Sequence, residues 1–194
     1  MTLFQYYRDK LPPHVAACLE ELASDPRNLL MVISGQERSM MDAAFADMPN
    51  VSLAAEHGYF YRLGSMPGIR RPVVGPWQPL LEGFDLSWKE GALAVMEAYT
   101  ARTNGAQISH KGSSLVWKYD EVDPDFGAMQ AKELSQYLEG LLAEEPVQVT
   151  TGKGYIEVRP KGVNKGAIID HVLTQLQSQV GAVGFVLCLG DDSA

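Results

Sequence analysis

The fold of this chain is decided by the stretch Gly152-Lys153-Gly154-Tyr155-Ile156-Glu157-Val158-Arg159-Pro160-Lys161-Gly162-Val163-Asn164-Lys165-Gly166. Its first half predicts a β-strand, because Ile156 and Val158 alternate with charged residues. A proline and a glycine end this strand, and Asn164 then predicts the N-cap of a helix. The apolar stripe of that helix consists of Ile169, Val172, Leu173, Leu176 and Val180. A strand that turns directly into an amphipathic helix is typical of an α/β protein.

Lys165 lies at this predicted strand-to-helix turn, which is where open α/β sheets bind their ligands. The N–H groups at the start of a helix attract anions, so this lysine is a candidate for binding a phosphate group. Taken alone, a solvated loop lysine is the commoner explanation of such a residue.

A hydroxyl group is predicted at the same edge of the sheet. The apolar run Leu29–Ile33 predicts a fully buried strand of a parallel sheet, and Ser34 follows it directly. A hydroxyl in this place either binds a phosphate or, more commonly, caps the next helix.

Two aspartates follow the last apolar run of the chain. Residues 184–189 predict a final buried strand, which leads into Asp191 and Asp192. Paired carboxylates just past a strand suit a hard cation such as magnesium, although Gly-Asp-Asp is also good turn chemistry. Together with Ser34 and Lys165, these aspartates could hold a phosphate and a magnesium ion, but the spacing indicates no particular substrate.

The composition is that of an ordinary globular protein. Of its 194 residues 46% are hydrophobic and 21% are charged, and the formal net charge is −8. Without a Lys/Arg-rich run, this balance argues against nucleic acids or acidic membranes as main partners. No apolar run is long enough to span a bilayer. The two distant cysteines and the spacing of the four histidines predict a reduced, cytoplasmic protein without a zinc site.

The order of the predicted elements indicates a doubly wound, Rossmann-like parallel α/β core with an inserted α+β cap. We assign residues 1–100 and 159–194 to the core and residues 101–158 to the cap. The core also contains a predicted strand at 51–55 and a helix over 87–99. The predicted elements of the cap are strands at 107–110 and 114–119, a helix from about Asp125, and a hairpin of 147–151 with 155–159.

Six motifs, which cover nearly the whole chain in order, resemble trehalose-6-phosphate phosphatase. They are Ala54-Ala55-Glu56-His57-Gly58-Tyr59-Phe60, Leu115-Val116-Trp117, Asp123-Pro124-Asp125-Phe126-Gly127, Gln130-Ala131-Lys132-Glu133-Leu134, the stretch 154–166 and Phe185-Val186-Leu187-Cys188-Leu189-Gly190-Asp191-Asp192. The resemblance is closest to the phosphatase-like C-terminal domain of plant-type trehalose-phosphate synthase/phosphatase proteins. It implies a core of the haloacid-dehalogenase type.

The resemblance implies hydrolysis of a phosphate monoester through an aspartyl-phosphate, with magnesium offsetting the phosphate charge. It matches Ser34 to the phosphate-binding hydroxyl and Lys165 to the lysine that stabilises the phosphoryl oxygens. It matches Asp191 and Asp192 to the start of the magnesium-binding motif.

The resemblance also assigns residues of the cap to the sugar. Lys111, Glu157 and Arg159 match cap residues that face it, although surface ion pairs would look the same. The implied ligand is trehalose-6-phosphate or a related sugar phosphate, and the implied partner is a trehalose-phosphate synthase domain.

The chain departs from the family pattern in ways that bear on activity. The Asp-x-Asp-Gly-Thr motif, which supplies the nucleophile, is absent, and Gln36 stands where an arginine is usual. His110, Lys118 and Asp120 also differ from the residues of active phosphatases. We therefore expect a trehalose-phosphatase-like domain that is truncated at both ends and inactive as this chain. The alternative is a non-catalytic, sugar-phosphate-sensing or interaction domain of a larger synthase; the cap motifs disfavour a different sugar phosphatase.

Overall fold

The structure is a computed structural model that describes residues 11–64 and 75–190. Its elements up to residue 80 are α1 (Pro13–Ser24), β1 (Met31–Ile33), α2 (Arg38–Ala44), β2 (Ser52–Ala55), the 3-10 turn Glu56–Gly58, β3 (Phe60–Arg62) and β4 (Gln78–Pro79). They are followed by α3 (Trp88–Arg102), β5 (Gln107–His110), β6 (Leu115–Lys118), α4 (Pro124–Leu141), β7 (Val147–Gly152), β8 (Tyr155–Pro160) and α5 (Lys165–Val180). The mixed α/β class predicted from the sequence is confirmed.

The described residues divide into two compact units. The first comprises those up to Leu80 together with those from Asn164 onward, and the second is Leu81–Val163. None of the helices in the described part of the chain is both long enough and apolar enough to cross a membrane.

The first unit is built on a sheet with the strand order β1-β2-β3-β4. β1 and β2 are parallel, and β3 and β4 join in antiparallel fashion. Successive residues of β2 point to opposite faces: Leu53 packs in a cluster with residues of α1 and α2, and Ala54 packs in a cluster with residues of α5. Helices therefore cover both faces of this sheet, as the doubly wound arrangement requires.

The turn into α5 forms as predicted, with one shift in the buried stripe. Asn164 caps the helix, because its side chain accepts a hydrogen bond from the backbone N–H of Ala167 at 2.9 Å. Val172 and Leu176 are buried as expected, but the third buried residue is Ile168, and Ile169 is only half-buried. The helix is therefore rotated slightly from the orientation that the apolar pattern favours.

The expected strand at residues 184–189 is wrong. The described residues 182–190 contain no strand, and Phe185, Leu187 and Leu189 are 79%, 67% and 88% exposed. β1 is half-buried instead of fully buried, and among the described residues it pairs only with β2. An apolar run is buried as a strand only where a neighbouring strand satisfies its backbone groups, and no described strand pairs with residues 184–189 or with the second edge of β1.

The second unit is an antiparallel sheet, β5-β6-β8-β7, against which α3 and α4 pack. The predicted hairpin is present as β7 and β8, and the two strands are joined at Gly154, whose φ of +80° favours glycine. The helix expected over 87–99 is α3, and its residues Trp88, Ala92 and Met96 lie in the same core as Trp117 of β6. The compact unit thus begins at residue 81, whereas the sequence placed residues 81–100 with the core.

Candidate functional site

The loops that follow β1 and β2 are locked together by backbone hydrogen bonds. The N–H of Ser34 donates to the carbonyl of Ala54, and the N–H of His57 donates to the carbonyl of Ser34, each at 2.9 Å. The N–H of Glu56 donates to the carbonyl of Gln36, also at 2.9 Å. The carboxyl edge of the two parallel strands is therefore a fixed platform of backbone.

The turn Glu56–Gly58 is strained. Glu56 and His57 have φ values of 51° and 61°, in the left-handed region that residues other than glycine seldom adopt, although histidine adopts it more often than glutamate. Each such residue costs about 1–3 kcal/mol and is found chiefly at functional sites. A Cβ atom on Gly35 would lie 2.6 Å from the Cε1 of His57, so this close approach requires glycine. The sequence pattern indicated no role for Glu56 or His57, although Gly58 after them predicts a turn.

Glu56 is buried, with 3% of its surface exposed. Burial, together with the charge of Glu56, raises the pKa of the Tyr59 phenol above its ordinary value. Glu56, Gly58 and Tyr59 are all buried, so this turn is poorly solvated and electrostatic interactions within it are strengthened.

Lys165 begins α5, and the start of this helix packs against the same turn. A Cβ atom on Gly58 would lie 3.5 Å from the carbonyl oxygen of Asn164 and 2.6 Å from the Cγ2 of Ile168. Lys165 itself is half-buried. The turn Glu56–Gly58 therefore contacts both the loop that contains Ser34 and the N-terminal end of α5.

The Ser34 hydroxyl stabilises its own loop. Its Oγ accepts a hydrogen bond from the N–H of Gln36 at 3.2 Å, which is a serine turn. α2 begins only at Arg38, with Glu37 as its N-cap residue. The commoner sequence expectation, that Ser34 caps the next helix, is therefore not met.

In the second unit the structure brings Lys111 and Glu157 together. Glu157 lies on β8, and its carboxylate is buried, with the residue only 3% exposed. Its Oε1 accepts hydrogen bonds from the Nζ of Lys111 at 3.1 Å and from the Oγ of Ser114 at 3.0 Å. Lys111 and Ser114 close the turn between β5 and β6. The resemblance pointed to the two charged residues, but Ser114 lies inside a predicted strand and no sequence signal distinguished it.

Lys89 holds the loop that carries Lys111. The Nζ of Lys89 donates to the carbonyl of Lys111 at 2.6 Å and to the carbonyl of Gly112 at 3.3 Å. Because these acceptors are backbone atoms, no charge or residue pattern in the sequence indicated this contact. Lys89 fixes the position from which Lys111 reaches Glu157.

Arg159 lies two residues beyond Glu157 on β8 and thus on the same face of the sheet. Its Nε is buried, and it has no hydrogen-bond partner among the residues that the structure describes. A buried donor without a partner costs about 1–3 kcal/mol. The three residues expected to face a sugar therefore include one with an unsatisfied donor.

The predicted metal ligands Asp191 and Asp192 lie outside the described residues. Across residues 11–64 and 75–190 no three or more His, Cys, Asp or Glu side chains are grouped to hold a metal ion. Magnesium binding thus stays a prediction from the sequence.

The fold and these sites define a class of protein. It is a two-unit α/β protein whose sheet presents a strained turn and a helix N-terminus at the carboxyl edge of parallel strands, where such sheets bind anions. The family model of trehalose-phosphatase matches residues 6–194, and the chain belongs to that family.

Individual relatives agree with this assignment. The chain is 43% identical over 174 residues to alpha,alpha-trehalose-phosphate synthase [UDP-forming] 6 of Arabidopsis thaliana, which covers 90% of the chain and 19% of that protein. It is 35% identical over 175 residues to trehalose-phosphatase of Schizosaccharomyces pombe, covering 90% of the chain and 20% of that protein. The chain thus spans about a fifth of the length of these relatives.

Solved structures show the same fold. The C-terminal domain of Candida albicans trehalose-6-phosphate phosphatase superposes with a TM-score of 0.70 at 34% identity. The match covers 87% of the present chain and 54% of the Candida domain. The C-terminal domain of the Candida albicans trehalose synthase regulatory protein has the same TM-score at 20% identity. The match covers 88% of the present chain and 59% of that domain, and at this identity it supports the fold alone. The alternative of a sensing or interaction module is not favoured by these comparisons.

Proposed function

We propose that this chain is a phosphatase-like domain of trehalose biosynthesis that binds the phosphate of trehalose-6-phosphate or a related sugar phosphate. The observation that carries the proposal is the turn Glu56–Gly58, which contacts both the loop that contains Ser34 and the start of α5 at Lys165. A lysine, a hydroxyl and a helix N-terminus around rigid backbone are the groups that bind a phosphate dianion. Hydrolysis of phosphate monoesters is the reaction that the family name supports.

The second unit supplies groups suited to sugar hydroxyls. Lys111, Glu157 and Ser114 offer charged donors and acceptors, and Arg159 carries a donor that is not yet satisfied. A buried ion pair adds little to stability, so a ligand-binding role accounts better for this cluster.

Magnesium and a synthase domain complete the proposal. Asp191 and Asp192 are the candidate magnesium ligands, because carboxylates are the ligands this ion prefers. A magnesium ion bound there would offset phosphate charge. A trehalose-phosphate synthase domain is the proposed partner, since synthases are among the relatives that the chain matches over about a fifth of their length.

The phosphate site is tested by calorimetry with inorganic phosphate. Replacing Lys165 by alanine removes a charge-assisted contact, and we expect it to weaken phosphate binding by about ten- to hundredfold. Lys161→Ala is the matched control, because Lys161 is an exposed lysine of the second unit whose Nζ donates to the carbonyl of Glu145 at 3.3 Å. If both variants lost phosphate affinity equally, the loss would come from the change in net charge, and Lys165 would not belong to a phosphate site.

A second test concerns hydrolysis. Within the described residues, the carboxyl ends of β1 and β2 lead into Ser34 and Glu56, and neither position offers an aspartate nucleophile. We therefore expect no release of phosphate from trehalose-6-phosphate by this chain with magnesium, since no aspartate follows either of these described strands to accept the phosphoryl group. Release above a blank without protein, abolished by Lys165→Ala, would contradict this expectation.

A further inference from the structure

The two faces of the sheet in the second unit differ in character. Apolar residues of β8 pack in one core with residues of α3 and α4. The residues that alternate with them, Tyr155, Glu157 and Arg159, lie on the opposite face. Cross-strand pairing places Lys118 and Thr150 on that face as well. We call it the polar face, and its strands all belong to one continuous stretch of the chain.

Tyr155 differs from these neighbours because it is aromatic and exposed. Its exposed fraction is 39%, whereas that of Glu157 is 3%. The two residues are two positions apart, which is about 7 Å along a strand. A buried carboxylate and an exposed aromatic ring thus lie side by side, at a separation that one pyranose ring with its hydroxyl groups spans.

The ring of Tyr155 leans across the neighbouring strand β7, in which Gly152 is its direct partner. A Cβ atom on Gly152 would lie 2.6 Å from the Oη of Tyr155 and closer still to its Cζ and Cε1. The ring therefore occupies the space that a side chain at residue 152 would fill. A ring that already rests against the sheet loses little conformational freedom when it binds a ligand.

An aromatic ring next to charged groups suits a carbohydrate. Sugar hydroxyl groups form hydrogen bonds with groups such as the paired carboxylate of Glu157 and ammonium of Lys111. The C–H groups of a pyranose ring carry partial positive charge and pack against the negative face of an aromatic ring. Charged groups bind many polyols and anions, whereas an aromatic face favours a cyclic sugar.

We propose that Tyr155 determines specificity by stacking on a pyranose ring of the ligand, while Glu157 and Lys111 bind its hydroxyl groups. This inference rests on the proposed function and adds to it the contact that selects a pyranose. The alternative is that Tyr155 only fills the gap above Gly152 and stabilises the sheet. A purely structural ring predicts a loss of stability without a change in sugar affinity.

Calorimetry of the full chain measures the affinity for trehalose, for sorbitol, which presents hydroxyl groups on an open chain, and for inorganic phosphate. We expect trehalose to bind more tightly than sorbitol, and Tyr155→Ala to weaken trehalose binding by about tenfold without changing phosphate binding. Tyr155→Phe keeps the ring and should keep most of the trehalose affinity. Tyr137→Ala is the control, since Tyr137 is an exposed tyrosine on α4 that the proposal does not use.

Tyr155→Leu keeps an apolar side chain over Gly152 without an aromatic ring, and urea unfolding gives the stability of each variant. If Tyr155→Leu stayed folded and bound trehalose like the original chain, the ring would serve the sheet alone and the proposal would be wrong. Equal losses in Tyr155→Phe and Tyr155→Ala would assign the effect to the hydroxyl group, which would also overturn it.

The same titrations separate this inference from the proposed function. A chain that binds inorganic phosphate but not trehalose contradicts the stacking contact alone. A chain that binds trehalose through Tyr155 but does not bind phosphate contradicts the phosphate site alone, and a chain that binds neither contradicts both.

Discussion

Glu157 shows what can and cannot be inferred about single residues. The sequence named Glu157 and Lys111 as neighbours of a sugar by resemblance, and the structure joins them at 3.1 Å. The sequence could not identify Lys89 or Ser114. Lys89 donates to a backbone carbonyl, and the hydrogen bond of Ser114 depends on how the turn between β5 and β6 closes. Residue type predicts chemistry here, whereas the partner of a buried group is set by packing.

Removing Lys111 should destabilise the protein more than removing the pair. Lys111→Met removes the ammonium group that lies 3.1 Å from the buried carboxylate of Glu157, and we expect a loss of roughly 3 kcal/mol in the free energy of unfolding. The double variant Lys111→Met with Glu157→Gln should recover most of that loss, because no charge remains buried. Urea unfolding measures both.

A double variant as unstable as Lys111→Met would show that the lysine acts through its packed alkyl chain and not through its charge. Lys132→Met, an exposed lysine on α4, controls for the general effect of losing one positive charge.

The elements of the second unit were predicted best. Alternation located β8, and the turn at Gly154 located the hairpin, because both signals lie within a few residues of sequence. The assignment of α3 was harder: its periodicity identified a helix, but no local pattern indicated which core Trp88, Ala92 and Met96 enter. That choice depends on contacts with β6, which lies well beyond the helix in sequence.

The packing of α3 predicts how fragments of the second unit unfold. A fragment of residues 81–163 contains the whole second core and should unfold cooperatively on heating. A fragment of residues 103–163 lacks the three buried side chains of α3 and should lose its sharp transition, since deleting even one large buried side chain costs about 2–5 kcal/mol. Circular dichroism during heating compares the two. Equal melting of both fragments would mean that the sheet and α4 are sufficient.

For the molecule as a whole, the α/β class was predictable and one strand was not. The run 185–189 has the composition of a buried strand, and this composition led to the wrong assignment. Burial of a strand is a property of its neighbours, and a pattern within the run carries no information about whether a partner is present. The turn Glu56–Gly58 is a similar case, because its left-handed backbone is imposed by the loops locked around it.

The division of the chain also sets an order of assembly during synthesis. Residues 81–163 leave the ribosome as one continuous segment, so that unit can fold as soon as its last strand emerges. The first unit must wait, because Ala54 and Tyr61 stay uncovered until α5 delivers Ile168 and Val172. A growing chain therefore contains a folded second unit while the sheet of the first unit still lacks α5. During that interval the face of the sheet that carries Ala54 and Tyr61 is exposed to chaperones and proteases.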